Sequence, residues 1–179
     1  MIKKEAVFDE LLVLKVQDGD AKAFSLIVNR WNKRLISFAY KIVHDVDVSK
    51  DVVQDTWVAA FKNISRLKDA GKFSSWIFRL THNKAIDIIR KQQLKTTEIE
   101  DDIVEDVAED DQWKNVERQL KILPADQKLI LTLFYLEQQS LKQIADILKL
   151  PTGTVKSRLF YARENLKKKY KEVYYEKNK

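Results

Sequence analysis

The chain has 179 residues, of which 45% are hydrophobic, enough for one large packed domain or two small ones. It contains no cysteine, which excludes disulfides and thiolate metal sites and is typical of a cytoplasmic protein. The formal charge of +6 favours a polyanionic partner, and the absence of a long apolar run argues against a membrane span or a secretory signal.

Apolar residues recur with helical rather than alternating spacing along the chain. The three glycines and two prolines stand where helices would stop. This pattern predicts an all-α protein of two small helical domains, 1–93 and 113–179, joined by a linker over 94–112. The predicted helices lie near 7–17, 21–43, 48–65, 73–92, 113–122, 125–137, 141–148 and 153–171.

The linker prediction depends on the distribution of charge. Residues 98–111 contain nine of the 27 acids and no base, which leaves the rest of the chain with 33 bases against 18 acids. An acidic block between two basic halves indicates a solvated linker between two binding domains. The block lacks the ligand spacing and glycine of an EF-hand, so we expect no calcium site there.

The predicted helix over 48–65 has one apolar and one polar face. Its polar face presents Asp51, Gln54 and Asp55, followed by Val58 and Lys62. Carboxylates four residues apart on a helix repel each other unless an outside group favours them. A basic protein surface would do so, and a merely solvated acidic face is the alternative. The residues predicted to be buried are Val53, Trp57, Ala60 and Ile64.

The predicted helix over 73–92 has a tryptophan on its polar side. With about 100° between successive residues, Trp76 falls beside Arg79 and Asn83. An exposed indole next to a cation and an amide can stack on an unpaired base while the cation holds the backbone. A loop over 71–74, which includes Phe73, would complete a pocket. The alternative is a half-buried tryptophan that packs on a neighbouring helix.

The segment over 140–166 has the spacing of a helix-turn-helix. Ser140 and Gln143 form a capping box that starts a short helix, and Pro151 ends it. Thr152 is then placed to cap a second helix. The apolar faces predicted to meet are Leu141, Ile144, Ala145 and Leu148 in the first helix and Val155, Leu159, Ala162 and Leu166 in the second.

The outer face of the second helix fits the major groove of DNA. Hydroxyls and aromatic edges can read bases, while flanking cations meet phosphates. Nine bases and three acids between 156 and 179 add electrostatic attraction. The alternatives are a hairpin with a solvated basic face and a basic helix on a membrane surface. The predicted DNA-facing residues are Thr154, Lys156, Ser157, Arg158, Phe160, Tyr161 and Arg163.

Taken in order, these motifs resemble a bacterial extracytoplasmic-function (ECF) sigma factor. Such factors are minimal members of the sigma-seventy family, with only its second and fourth conserved regions. The similarity covers roughly residues 8–170 and includes the stretches DVVQDTWVAAFKNI and FSSWIFRLTHNKAIDIIRK as well as the helix-turn-helix. The resemblance implies a factor that binds core RNA polymerase, directs it to specific promoters and assists strand opening.

The resemblance also implies partners for each face. The polymerase contacts are the clamp helices of the largest subunit and the flap of the second largest, and an anti-sigma factor is a further expected partner. The residues that match the clamp contact are Asp51, Gln54 and Asp55. Those that match the segment melting and reading the minus-ten element are Phe73, Trp76, Arg79 and Asn83. Those that match the reader of the minus-thirty-five element are Lys156, Ser157, Arg158 and Phe160.

The chain departs from the family pattern beside the helix-turn-helix. Gln138 and Gln139 stand where the family usually has an acid and a glycine before the serine. Lys142 stands where the family often has an aromatic or acidic residue.

The inventory of reactive residues predicts no enzyme, metal site, cofactor or small-molecule substrate. His44 and His82 are far apart and lack the spacing of a zinc motif, and scattered glycines cannot form a phosphate-binding loop. The main rival function is a stand-alone helix-turn-helix regulator that binds an operator as a dimer. A structural adaptor is the third class, and it would bind neither DNA nor polymerase.

Overall fold

The computed structural model of the protein describes residues 2–93 and 123–177. These residues form α-helices and no strand, so the all-α prediction is confirmed. The predicted linker over 94–112 and the predicted helix over 113–122 lie outside them. The chain divides into an N-terminal unit, Met1–Glu100, and a C-terminal unit, Asp101–Lys179. The helices are α1 (Ile2–Gln17), α2 (Ala21–Val43), α3 (Val46–Asn63), α4 (Phe73–Gln93), α5 (Ala125–Leu131), α6 (Leu141–Leu148) and α7 (Thr152–Lys177).

Aspartate caps set the starts of α2 and α3. The Asp20 carboxylate accepts hydrogen bonds from the backbone N–H groups of Lys22 and Ala23, which gives α2 the predicted bounds. Asp45 accepts from the Val48 N–H at 2.7 Å, so α3 begins two residues before the predicted start. Each cap satisfies backbone donors that have no partner inside the helix.

The core of the N-terminal unit is an aromatic cluster between α2 and α4. Trp31 meets Phe73 edge to face at 5.4 Å and Phe78 at 5.7 Å, and Phe38 meets Phe78 at 4.9 Å. All four rings are at most 2% exposed, and burial of each side chain stabilises the fold by roughly 1.5–3 kcal/mol. The four residues of α3 and its end that were predicted to be buried, Val53, Trp57, Ala60 and Ile64, are buried.

The helix-turn-helix of the C-terminal unit begins and ends largely as predicted. The capping box is confirmed, with Gln143 N–H donating to Ser140 Oγ at 3.2 Å and Ser140 N–H donating to Gln143 Oε1 at 2.8 Å. Lys149 ends α6 with a left-handed φ of 54°. The Thr152 cap is wrong, because the first helical bond of α7 already runs from the Val155 N–H to the Pro151 carbonyl.

The buried faces of α6 and α7 also follow the predicted spacing, with one omission. Val155, Leu159 and Ala162 are buried, as are Ile144 and Ala145. The omitted residue is Ile147, which is fully buried because α6 contacts both α7 and the turn over Thr132–Leu136. That turn is a wider π-helical continuation of α5, so the predicted helix over 125–137 is correct in extent but not regular. Leu141, Leu148 and Leu166 are half-buried.

Candidate protein and nucleic-acid interfaces

The exposed side of α3 combines acids with large apolar groups. Asp51, Gln54 and Asp55 are exposed as predicted. Toward the C-terminal end of the helix, Val58 is 51% exposed and Phe61 is 65% exposed. We call these five residues the α3 outer face. Neighbouring exposed apolar side chains are typical of a protein contact site, and the carboxylates favour a partner with basic side chains.

Sequence reasoning missed Phe61 as a member of this face. The sequence does indicate that it belongs there, because Phe61 stands three residues after Val58 and therefore on the same side of the helix. The Phe61 ring is oriented by Phe24, which it meets edge to face at 5.1 Å. Phe24 in turn meets Trp57 at 6.1 Å, so the exposed ring is supported by two further aromatic side chains.

The acids of α3 differ in whether they have a partner. Lys50 Nζ lies 2.8 Å from Asp47 Oδ1, and this hydrogen bond lowers the pKa of Asp47. Asp51 and Asp55 form no ion pair with any residue that the structure describes. Their charges are therefore available to a cation from outside the chain.

Phe73 does not lie in an exposed loop, and that prediction is wrong. The segment before α4 is a 3₁₀ turn, Ala70–Lys72, and Phe73 is the first residue of the helix. Its side chain is 1% exposed because it packs against Trp31. Contact with a base would require this ring to leave the core, so Phe73 supports the site from behind.

The other three residues predicted to contact melted DNA lie on the polar side of α4. Trp76, Arg79 and Asn83 follow one another at spacings of three and four residues, which places them on one side of the helix. Trp76 is half-buried rather than fully exposed, since its ring lies 6.0 Å from that of Phe73. Arg79 is exposed. The Asn83 Oδ1 atom is buried and accepts no hydrogen bond from the described residues, an unsatisfied group that calls for an explanation.

The outer face of α7 presents two neighbouring exposed aromatic rings. Phe160 is 57% exposed, Tyr161 is 62% exposed, and their rings lie 5.5 Å apart. Lys156 and Ser157 are exposed beside them, while Thr154 is half-buried. These side chains stand opposite the buried stripe of α7, as the helical spacing predicts.

Two of the predicted DNA-facing arginines also have partners within the C-terminal unit. Arg158 Nη1 lies 3.9 Å from Asp126 Oδ2 in α5. The guanidinium of Arg163 lies over the rings of Phe134 and Tyr135, at 5.2 and 5.5 Å. Both contacts hold α7 against α5 and the turn that follows it. A stacked guanidinium still has N–H groups at its edge, so the packing of Arg163 is compatible with a phosphate contact.

The turn before α6 contains a strained residue. Gln138 has a φ of 51°, in the left-handed region that favours glycine. Of the two glutamines that depart from the family pattern, it is therefore Gln138 that occupies a glycine-like conformation. Gln139 is 4% exposed.

Two kinds of site are absent from the described ranges, 2–93 and 123–177. No helix there combines the length and apolar character needed to cross a membrane. No three His, Cys, Asp or Glu side chains in those ranges are grouped so that they could hold a metal ion.

The C-terminal unit, with its capped α6, tight turn and basic α7, defines a helix-turn-helix protein. Comparison with protein families refines that class. Residues 27–95 match Sigma-70 region 2, and residues 120–168 match Sigma-70, region 4. The first match includes α3 and α4, and the second includes α6 and the outer face of α7.

Known relatives are similar along nearly the whole chain. The ECF RNA polymerase sigma-E factor of Haemophilus influenzae is 32% identical over 184 residues, covering 92% of this chain and 96% of that protein. The ECF RNA polymerase sigma factor SigW of Bacillus subtilis is 28% identical, covering 97% of this chain and 98% of that protein. The chain belongs to the sigma-70 family and, within it, to the ECF sigma factors.

Solved structures agree with this assignment. The sigma factor RpoE, in complex with the anti-sigma factor NepR from Bartonella quintana, has a TM-score of 0.66 at 25% identity and covers 84% of this chain and 98% of that one. CnrH, in complex with the cytosolic domain of CnrY, has a TM-score of 0.63 at 24% identity and covers 92% and 98%. The second likeness concerns the fold alone.

Proposed function

We propose that this chain binds core RNA polymerase in the cytoplasm, directs it to specific promoters and assists strand opening. The observation that supports this most strongly is that one chain matches both sigma regions and has an exposed candidate surface in each. We assign residues 1–93 to a region-two domain that binds polymerase and opens the minus-ten element. Residues 94–112 are the linker, and 113–179 form a region-four domain that recognises the minus-thirty-five element.

The α3 outer face is the proposed contact with the clamp helices of the largest polymerase subunit. Asp51 and Asp55 form no ion pair with a described residue, so their carboxylates can pair with basic side chains of the polymerase. Val58 and Phe61 would lose their exposed apolar surface in the complex, which supplies hydrophobic stabilisation. The C-terminal unit is the proposed partner of the flap of the second-largest subunit.

The polar side of α4 is the proposed site for melted DNA. The half-buried indole of Trp76 offers a flat surface for an unpaired base, and base stacking on an aromatic side chain is worth about 1–3 kcal/mol. That stabilisation is available only after the base leaves the duplex, so it favours the open complex. Arg79 would hold the backbone, and Asn83 would select the base.

The outer face of α7 is the proposed reader of the minus-thirty-five element. Exposed Phe160 and Tyr161 can contact thymine methyl groups, and Lys156 can meet a phosphate. Arg158 lies on the same face, with its Nη1 3.9 Å from Asp126 Oδ2, and its guanidinium can contact a base or a phosphate.

An anti-sigma factor is a further proposed partner. The solved structure of RpoE, which is similar in fold and 25% identical, contains the anti-sigma factor NepR. That partner belongs to RpoE, and it supports a comparable regulator for this chain.

Run-off transcription on genomic fragments, with core polymerase and with or without this protein, tests the proposed function. Promoter-specific transcripts should appear only when both are present. Binding to duplex DNA without polymerase, combined with no specific transcripts, would instead indicate a stand-alone regulator.

A double charge reversal tests the proposed polymerase contact of the α3 outer face. Exchanging Asp51 and Asp55 for lysine should abolish co-purification with core polymerase while leaving the helical content intact, because exposed charges contribute little to folding. Asp47→Lys is the matched control, since Asp47 is already paired with Lys50, and it should retain most of the binding. Undiminished co-purification of the double variant would remove this face from the polymerase contact.

A further inference from the structure

Helix α1 lies outside the matched Sigma-70 region 2, which begins at residue 27, yet it is firmly attached to the N-terminal unit. Asp9 is 7% exposed and forms an ion pair with Arg30 of α2 at 2.9 Å. Leu12 and Val13 are 3% and 0% exposed. These contacts give the C-terminal end of α1 a defined position against the rest of the unit.

The last residue of α1 bridges to the segment that joins α3 to α4. The amide nitrogen of Gln17, Nε2, donates hydrogen bonds to the carbonyl oxygens of Ile64 and Leu67, each at 2.9 Å. Ile64–Arg66 is a 3₁₀ turn, whose closing bond runs from the Leu67 N–H to the Ile64 carbonyl at 3.1 Å. One side chain therefore binds both ends of this turn.

The same segment leads directly into the proposed site for melted DNA. Five residues after Leu67, the second 3₁₀ turn ends at Lys72 and α4 begins at Phe73. Asp69 holds that second turn by accepting from the Gly71 N–H at 3.1 Å. Glu10 of α1 lies alongside, since its Oε2 is 3.7 Å from the position a side-chain carbon at Gly71 would occupy. Helix α1 thus borders both turns that set where α4 starts.

We propose that Gln17 is a positioning residue for promoter opening: by fixing the turn over 64–67, it holds the start of α4 so that Trp76 can receive an unpaired base. The inference rests on the proposed function of α4. Gln17 lies on α1, far from Trp76 in the sequence, and it is not proposed to contact DNA. Its chemistry suits the task, because an amide NH₂ group has two donors and can serve two carbonyls at once.

The test uses the full chain with core polymerase on two templates, an ordinary duplex promoter and the same promoter with a pre-melted bubble. Gln17→Leu removes both donors at similar side-chain size. On the duplex, permanganate-reactive thymines should fall about tenfold, the equivalent of two modest hydrogen bonds. The bubble template should restore most transcription, and polymerase binding should be unchanged. Asn63→Leu is the matched control, because among the described residues its amide bonds only the Ala59 carbonyl of its own helix.

Gln17→Lys should retain opening, because its ammonium group can donate to both carbonyls. Gln17→Glu should behave like Gln17→Leu. If Gln17→Leu does not fold, the comparison of Gln17→Lys with Gln17→Glu tests the positioning role instead. Equal losses on both templates would indicate a purely structural role and overturn the proposal, as would full activity of both Gln17→Leu and Gln17→Glu. If Trp76→Ala opens the duplex normally, the assignment of α4 itself has failed. If the Gln17 variants open the duplex normally while Trp76→Ala does not, only the positioning role of Gln17 is contradicted.

Discussion

Helices α4 and α7 are both proposed to contact DNA, but their side chains are supported differently. On α4, Trp76 is half-buried against Phe73, which belongs to the aromatic core with Trp31. On α7, Phe160 and Tyr161 are more than half exposed and contact each other. The surface for melted DNA is thus continuous with the core of its unit, whereas the surface for duplex DNA is a layer outside it.

This difference matches what each step demands. Opening requires an indole that is already oriented when the base arrives, because ordering a free side chain would cost part of the stacking energy. Duplex reading depends on charge and on groove-facing edges, which exposed side chains provide without a rigid backing. We therefore expect changes near α4 to affect folding as well as opening, and changes at Lys156, Phe160 and Tyr161 of α7 to affect binding alone.

The largest expected effect is on the free energy of unfolding. Phe73→Ala removes a ring that is 1% exposed and should destabilise the N-terminal unit by about 3–5 kcal/mol. Phe160→Ala, the matched change on α7, should stay within about 0.5 kcal/mol. Urea unfolding followed by tryptophan fluorescence measures the first, since three of the four tryptophans, Trp31, Trp57 and Trp76, lie in the N-terminal unit, and circular dichroism follows the second. If Phe73→Ala and Phe160→Ala changed the free energy of unfolding equally, the proposed difference between α4 and α7 would be wrong.

The next effect concerns promoter affinity. Lys156→Ala should weaken binding to all promoters alike and reduce the slope of affinity against salt by about one, because a phosphate contact is lost. Arg158→Ala tests for a base contact. Loss of such a contact should weaken promoter binding by about 1–3 kcal/mol and relax the base preference. Salt titrations of the polymerase complex on two unrelated promoters distinguish the two. If neither variant changes the slope or the preference, α7 is not the recognition helix.

The smallest expected effect is local strain beside the helix-turn-helix. Gln138→Gly should stabilise the C-terminal unit by about 0.5–1 kcal/mol, because glycine adopts a positive φ without steric cost but loses more freedom on folding. Gln139→Gly should destabilise it, since Gln139 is buried and has no positive φ. Urea unfolding monitored by circular dichroism compares the two, and a loss of stability in Gln138→Gly would show that the turn is unstrained.

The predictions from sequence succeeded where the cause is local. Glycine and proline breaks and the capping box located α2 and α6, and apolar spacing identified most of the buried residues predicted for α3 and α7. Phe73 was misplaced because it was assigned to a loop; counted as the first residue of the helix, it falls on the same apolar side as Ile77. Gln17 reaches carbonyls 47 and 50 residues away, a contact that only the tertiary fold creates and that no local pattern can indicate.

In the proposed function, α4 acts when the strands separate and α7 acts on the closed duplex. Transcription by Trp76→Ala and Lys156→Ala polymerase complexes, compared on duplex and pre-melted templates with the same upstream sequence, tests it most directly. The pre-melted template should restore most transcription to Trp76→Ala, because the cost of unpairing is removed, and should leave the Lys156→Ala defect in place. A folded Trp76→Ala protein that gains nothing from the pre-melted template would contradict the account.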